Sequence, residues 1–375
     1  FPKKGYALEL RAPDSTDLDW PLLGLPAESD WVLHGPFSDK SLMRNALAYK
    51  MAGRLMRWAP RTRFCELIID GDYRGVYLLV EKIKRDKHRV DISKLKPDEN
   101  SGDDLTGGYI LKIDKEEGAE VGGWYSEIPS VPGSWQRTFF QYHYPKPSEI
   151  TLTQQAYIRL AVQRWENALA APDFDDTTGG WRRYMDETSL IDFFLVQEMA
   201  KNVDAYRLST FFYKDKDSVD PRFFMGPVWD FNLGFGNVDY CEMASTPGWV
   251  ATGFNQICPG DYWAVPFWWN RLFADKAFKK RVKERWQHLR QGPLHTDSLM
   301  ACIDSMAALL SEAQQRNFQR FPILDQYVWP NSYVGGSWQA EVLFLKFWLQ
   351  ARLAWMDGEI DRFDAPEYHA EDYFA

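Results

Sequence analysis

Two segments of this chain place side chains that can do chemistry where loops would expose them. The first is Lys201-Asn202-Val203-Asp204-Ala205-Tyr206-Arg207-Leu208-Ser209. Asp204 follows a helical pattern and precedes a strand pattern, so its carboxylate could orient a hydroxyl nucleophile and accept its proton. The plainer reading is a turn aspartate bonded to local backbone N–H groups. The second is Gly226-Pro227-Val228-Trp229-Asp230-Phe231-Asn232-Leu233-Gly234-Phe235-Gly236-Asn237. An acidic residue there ends a β-run, and a side-chain oxygen follows at Asn232. Hard divalent cations take oxygen ligands of this kind, and a cation so held could neutralise phosphate charge. A glycine-rich turn with an Asx bond would look the same. The two aspartates stand 26 residues apart, 204 to 230, with a candidate hairpin between them. That is the order of the catalytic-loop aspartate and the metal aspartate in protein kinases, although neither an HRD nor a DFG triplet is written here.

Five segments resemble the CotH family, the spore-coat protein H kinases. Asn202-Val203-Asp204-Ala205-Tyr206-Arg207 is similar to its N-x-D-x-Y-R, and Trp229-Asp230-Phe231-Asn232 with Phe235-Gly236-Asn237 to its W-D-[FY]-D…F-G-N. Phe1-Pro2-Lys3-Lys4-Gly5-Tyr6 resembles P-K-K-x-Y, and Asp39-Lys40-Ser41-Leu42-Met43-Arg44-Asn45 resembles D-K-S-L-M-R-N. Gly71 to Ile83 resembles G-x-Y-x-G-x-Y-x-L-x-E-x-I. The likeness covers about residues 1–240.

The resemblance implies an atypical kinase fold and ATP-dependent phosphorylation of protein Ser/Thr with Mg²⁺ or Mn²⁺. By position, Asp204 would be the catalytic aspartate and Asp230 the metal aspartate, with Asn232 and Ser209 as further metal ligands. Glu81 and its neighbouring backbone would lie at a hinge near the adenine. Lys3 or Lys4 would reach the phosphates, although a lysine there could equally be a solvated surface residue. There are three departures. Ser209 stands where many members carry Asn, which weakens a second metal. Asn232 replaces a carboxylate, which lowers metal affinity unless another carboxylate compensates. The family's R-G-N-[ST] segment would precede residue 1. The competing reading is a kinase-like module that binds protein or glycan at a surface without catalysis. A glycosidase using paired carboxylates explains the aromatics but none of the five segments.

The elements that must position these residues are legible from periodicity. Tyr6–Leu10 alternates as a strand. Residues 41–58 carry apolar spacing of an amphipathic helix that Asp39 or Ser41 could cap, ending at Pro60. Phe64–Ile69 and Gly75–Val80 read as a hairpin, and Tyr109–Ile113 as a strand. Residues 116–148, rich in Gly, Pro and Ser, read as an irregular excursion. Ala156–Leu169 and Ser189–Lys201 read as helices, the second opening on a capping-box-like Ser189/Asp192 pair. Leu208–Lys214 and Phe223–Val228 read as short strands. A mostly helical region follows Pro266, its last helix about Gln339–Glu359. The expectation is an α+β, two-lobed, protein-kinase-like fold. A smaller β-rich lobe (1–148) precedes a larger, mostly helical one (149–375) within a single domain, with room for a ligand cleft between them.

The chain's 375 residues suffice for that core, and a net charge of −9 disfavours nucleic acid or anionic membranes as partners. Aromatics make up 16% of residues, which an aromatic-packed core or exposed stacking platforms would each explain. The six histidines form no HxxxH or HExxH pair, and no GxSxG elbow is present. Cys241 and Cys258 flank a Gly/Pro-containing loop, either as a disulfide or as buried free thiols. No run of 18 apolar residues is present, so no transmembrane segment is expected. The chain opens without an initiator Met and with no visible signal peptide, as a processed or trimmed chain would. The resemblance implies a secreted, periplasmic or cell-surface location.

Overall fold

The computed structural model describes residues 1–117 and 121–364. Helices and antiparallel sheets mix as the α+β expectation had it, an arrangement consistent with a two-lobed kinase-like fold. The first sheet has order β1-β2-β4-β3, from β1 (Tyr6–Glu9), β2 (Asp30–His34), β3 (Thr62–Ile69) and β4 (Asp72–Glu81). Helix α1 (Arg44–Ala52) lies between β2 and β3 in the chain. A short α2 (Gly102–Leu105) leads into the second sheet, of order β6-β7-β5-β8-β9. Its strands β5 (Tyr109–Ile113), β6 (Gly123–Pro129) and β7 (Arg137–Tyr144) come from before residue 148. Strands β8 (Thr210–Lys214) and β9 (Phe223–Met225) come from after it. Between the two groups run α3 (Leu152–Ala170) and α4 (Glu187–Ala200). The remainder is helical: α5 (Val250–Ile257), α6 (Trp268–Ala274), α7 (Lys276–Arg290), α8 (Thr296–Leu310), α9 (Ala313–Arg320) and α10 (Trp338–Asp361).

Three local expectations need correction. Helix α1 stops at Ala52, well before Pro60, and it is not amphipathic: of its nine residues only Lys50 is exposed. It is sandwiched within the core, and Leu55 and Met56, which prolonged the period, pack from the turn that follows. Asp39 does serve its start, since its Oδ2 accepts the Arg44 N–H at 2.8 Å. Helix α4 begins a turn early, with Asp186 as its cap accepting the Ser189 N–H at 2.8 Å. Asp192 instead pairs with Arg285 at 2.8 Å. The stretch 116–148 is not wholly irregular, because β6 and β7 fold within it. Its glycines and prolines cluster around the strands, while Thr138, Phe140 and Tyr142 alternate inward along β7.

Most of the aromatic content is core. Trp31, Trp165, Trp181, Trp268, Trp269 and Trp286 are fully buried, and Trp165 and Trp268 meet at 4.2 Å between ring centroids. At the far end of the first sheet, Asn317 of α9 takes the Val76 N–H at 3.0 Å and the Lys3 ammonium at 2.7 Å. Gly75 makes that approach possible. Its φ is +93°, and a Cβ there would lie 2.5 Å from Asn317 Oδ1.

Among the described residues, one buried carboxyl of this core pairs with no cation. Glu166 of α3 accepts from Ser126 Oγ at 2.8 Å and Trp268 Nε1 at 2.9 Å. Burial, more than any other influence, raises its pKa from 4.5 to about 7. The folded state therefore keeps a proton that the unfolded state releases, and stability falls as pH rises from about 4.5 to about 7. A glutamine satisfies both partners, accepting from Trp268 and donating to Ser126. Glu166→Gln is expected to stabilise the protein by about 2–3 kcal/mol at alkaline pH, and hardly at all in mild acid, in denaturant titrations.

Candidate active site

A cavity of about 420 Å³ lies where the two sheets meet the loop after α4. Val32 of β2, Lys82 and Ile83 just beyond β4, Lys112 of β5 and Phe211 of β8 contribute to its walls. Asp204, Ser209, Trp229 and Asp230 open onto it from the two segments singled out by sequence.

The loop that carries Asp204 is built from its own motif. Arg207 is almost wholly buried, and its Nη2 donates to Asp204 Oδ1 at 3.0 Å. The same guanidinium donates to Asp261 at 3.0 Å and to the Val203 carbonyl at 2.9 Å, so its position is fixed from three sides. Tyr206 turns inward and donates to Glu198 Oε1 at 2.9 Å. Asn202 Nδ2 donates to the Asp230 carbonyl at 3.1 Å, which ties the first segment to the second. Lys201, Tyr206 and Ser209 all have positive φ, as does Asp230 at +62°. A non-glycine residue holds that conformation only where its surroundings enforce it.

For Asp230 the enforcing groups come from α1. Tyr49 Oη accepts the Asp230 N–H at 3.1 Å, and Asn45 Oδ1 accepts the Phe231 N–H at 2.6 Å. Asn45 follows directly on the buried Asp39–Arg44 pair, whose oxygen and nitrogen lie 2.6 Å apart. Asn45, the last residue of the D-K-S-L-M-R-N segment, and Tyr49 one turn further along α1 together clamp the backbone of Asp230 and Phe231.

The electrostatics of the two aspartates differ. Burial pushes Asp204 above the usual carboxylate range, against the pull of Arg207. Asp230 rises to about 7, through burial first and then the negative charges of Asp204 and Asp114, with Lys115 opposing. Among the described residues nothing hydrogen-bonds the Asp230 carboxylate and no cation pairs with it. A divalent ion fits such a donor set. Asp230, Asp204 and the Ser209 hydroxyl offer hard oxygens, and Mg²⁺ characteristically uses one or two carboxylates while phosphates and waters complete its shell. No group of three or more His, Cys, Asp or Glu placed to hold a metal exists among the described residues, so any such ion would depend on its phosphate partner. The cavity's volume is within the range of small-molecule sites, and Val32, Ile83, Phe211 and Trp229 give it apolar surface.

The other expected residues lie elsewhere. Glu81 is buried against Arg61 in a two-pronged pair, 2.8 and 2.7 Å. Its chain neighbours Lys82 and Ile83, rather than its carboxylate, reach the cavity. Lys3 and Lys4 line a different cavity of about 320 Å³, with Tyr77, Arg320 and Phe321. Lys3 is 4% exposed rather than solvated, and burial lowers its pKa to about 7. Asn232 does not line the cavity that holds Asp204 and Asp230; its carbonyl accepts from Asn237 Nδ2 at 2.8 Å.

Sequence reading missed Lys112, Asp114, Lys115 and His143. His143 is held neutral by burial, its pKa down at about 4, and donates to the Ile83 carbonyl at 2.8 Å. It bolts the segment after β4 to the second sheet. The hydrophilic Lys112…Asp114-Lys115 run at the end of a strand was the available signal. Cys241 and Cys258 form a disulfide, with Cα atoms 5.6 Å apart, which closes the segment that follows Asp230. Cys65 and Cys302 are free thiols. None of the helices described is long and apolar enough to cross a membrane.

No curated protein matches this chain. Residues 1–356 match the family described as CotH kinase protein, and with that span of its 375 residues the chain belongs to the CotH kinase family.

Proposed function

We propose that the protein transfers the γ-phosphoryl group of ATP to Ser or Thr hydroxyls of a protein, in a reaction that depends on Mg²⁺ or Mn²⁺. The observation that carries this reading is one cavity holding two unlike aspartates: Asp204 fixed by Arg207, and Asp230 clamped through its backbone with its carboxylate free. Bound ATP with its ion supplies the phosphoryl group and the charge neutralisation. The chain supplies positioning. Asp204 accepts the hydroxyl proton, for which its raised pKa suits it. Asp230, with Ser209, holds the ion. Lys112 and Lys115 place positive charge along the same wall. The Cys241–Cys258 disulfide supports a secreted, periplasmic or cell-surface location.

A non-catalytic binding module is the second reading, favoured by the position of Asn232 outside the cavity. Calorimetric titration of ATP with and without Mg²⁺ or Mn²⁺ separates the two. The kinase reading expects metal-dependent binding that weakens at least about tenfold in Asp230→Ala, since a charge-bearing ligand is lost. Binding that is indifferent to metal, or unchanged in Asp230→Ala, sinks it.

A further inference from the structure

A second cavity, of about 240 Å³, adjoins the first and shares Asp114 with it. Arg207, the side chain that fixes Asp204, is part of its lining. Five of its twelve lining residues are aromatic, more than any other type of side chain. Rings that serve a core are buried in this protein, yet here Trp135 is 69% exposed, Tyr262 54% and Tyr125 44%. Trp135 and Tyr262 lie 5.5 Å apart with planes at 55°, and Tyr262 meets Trp263 edge-on at 5.2 Å. Tilted rings of this kind present faces and edges to a further ring.

The charged groups of the lining already have ion-pair or hydrogen-bond partners within the protein. Arg207 is held by Asp204 and Asp261, each at 3.0 Å. Arg137 donates to the carbonyls of Ser126 and Glu127. Asp114 has Lys112 at 3.6 Å, and Glu116 accepts from the Tyr125 hydroxyl. What the cavity offers a visitor is ring surface rather than polar groups without a partner.

We propose that this cavity receives an aromatic side chain of the acceptor protein, on the same stretch of chain as the hydroxyl presented to Asp204. The inference rests on the phosphotransferase reading above and adds a sequence preference to it. Asp114 lines both cavities and Arg207 of the second is bonded to Asp204 of the first, a proximity that favours a peptide side chain over a separate ligand. The engagement of each charged group by a partner within the protein favours a neutral ring over a lysine or arginine.

The test uses fluorescein-labelled serine peptides in which one Trp, Leu or Lys is scanned on either side of the serine, with binding read by anisotropy. At the best position the Trp peptide is expected to bind about tenfold tighter than its Leu or Lys counterparts, the scale on which buried aromatic anchors act. Trp135→Ala removes that advantage and leaves metal-dependent ATP binding unchanged; Trp135 is a surface residue, so the variant folds. In turnover assays the same variant raises KM for the Trp peptide about tenfold at unchanged kcat, as loss of uniform binding does. Equal binding of all three peptides, preference for Lys, or a Trp advantage that survives in Trp135→Ala overturns the proposal. So does tighter binding of a glucose oligomer than of any peptide. If ATP fails to bind while the Trp advantage stands and depends on Trp135, the kinase reading falls and the cavity remains a peptide site.

Discussion

Asp204→Asn is expected to lower kcat for phosphoryl transfer by about 10²–10⁴-fold, the range for loss of a positioned proton acceptor. Metal-dependent ATP binding is expected to stay within about twofold of wild type, because the second role, ion binding, is placed chiefly on Asp230. Asparagine has the size and shape of aspartate, and its Oδ1 can still accept from Arg207 Nη2, so the loop keeps its anchor. What it lacks is a site that takes up the hydroxyl proton. Asp230→Ala produces the opposite pattern, with ATP binding lost first. Radiolabelled transfer from ATP to an acceptor protein at saturating nucleotide, set beside calorimetry, gives both numbers for each variant. If Asp204→Asn retains wild-type turnover, Asp204 is a structural loop residue, and the turn reading of its segment was the correct one.

The pair of variants also probes how the site is assembled. Asp204 is held by its own loop, through Arg207 three residues on. Asp230 is held by distant chain, through Tyr49 and Asn45 of α1 and Asn202 of the other loop. Loss of the Asn45 or Tyr49 side chain should therefore act through Asp230, in the ATP titration, before it acts on the chemistry at Asp204.

Much of this was legible in the sequence for a specific reason. Asn202, Asp204, Tyr206 and Arg207 make their contacts within a few residues of one another or on the next segment, so a short motif records that local structure. Tyr109–Ile113 carries a run of β-formers bounded by Gly107-Gly108, and β5 matches it residue for residue. Glu81 was expected with its neighbouring backbone near the nucleotide; Lys82 and Ile83 do line the cavity, but a strand's period gives a residue's face and not its partner, and the partner of the Glu81 carboxylate is Arg61 across the β3–β4 pair. The expectation of an amphipathic α1 failed because periodicity finds one buried face, whereas α1 has the core on nearly every side. Lys112, Asp114 and Lys115 went unseen because only the pairing of β5 with β8, which joins residues about a hundred positions apart, brings them beside Asp204. Lys3 and Lys4 were matched by motif alone, and a motif does not say which of two cavities a side chain enters.

The largest effect on stability is expected at Glu198. Its side chain is fully buried, and it gathers three elements around the loop that carries Asp204. Oε1 accepts from Tyr206 Oη at 2.9 Å and the Ala251 N–H at 2.8 Å; Oε2 accepts from the Val250 N–H at 3.0 Å and Arg352 Nη2 at 2.9 Å. Glu198→Ala orphans all four donors, one of them a guanidinium that cannot shed its charge. Breaking a buried pair from one side costs about 3–5 kcal/mol. Arg352→Met is expected to cost less. Burial already raises the Glu198 pKa, so without Arg352 the carboxyl can take up a proton and escape the charge penalty, and Tyr206, Val250 and Ala251 keep their acceptor. The asymmetry follows from chemistry: a carboxylate can neutralise itself and an arginine cannot. Denaturant titration of both variants tests the order. Equal losses would mean that the Arg352 contacts to the Glu198 and Gly248 carbonyls, at 2.7 and 2.8 Å, matter as much as the carboxylate's own network. Because Tyr206 lies two residues from Asp204, the Glu198 variant should also lose turnover at temperatures where it is still folded, whereas Arg352→Met should retain it.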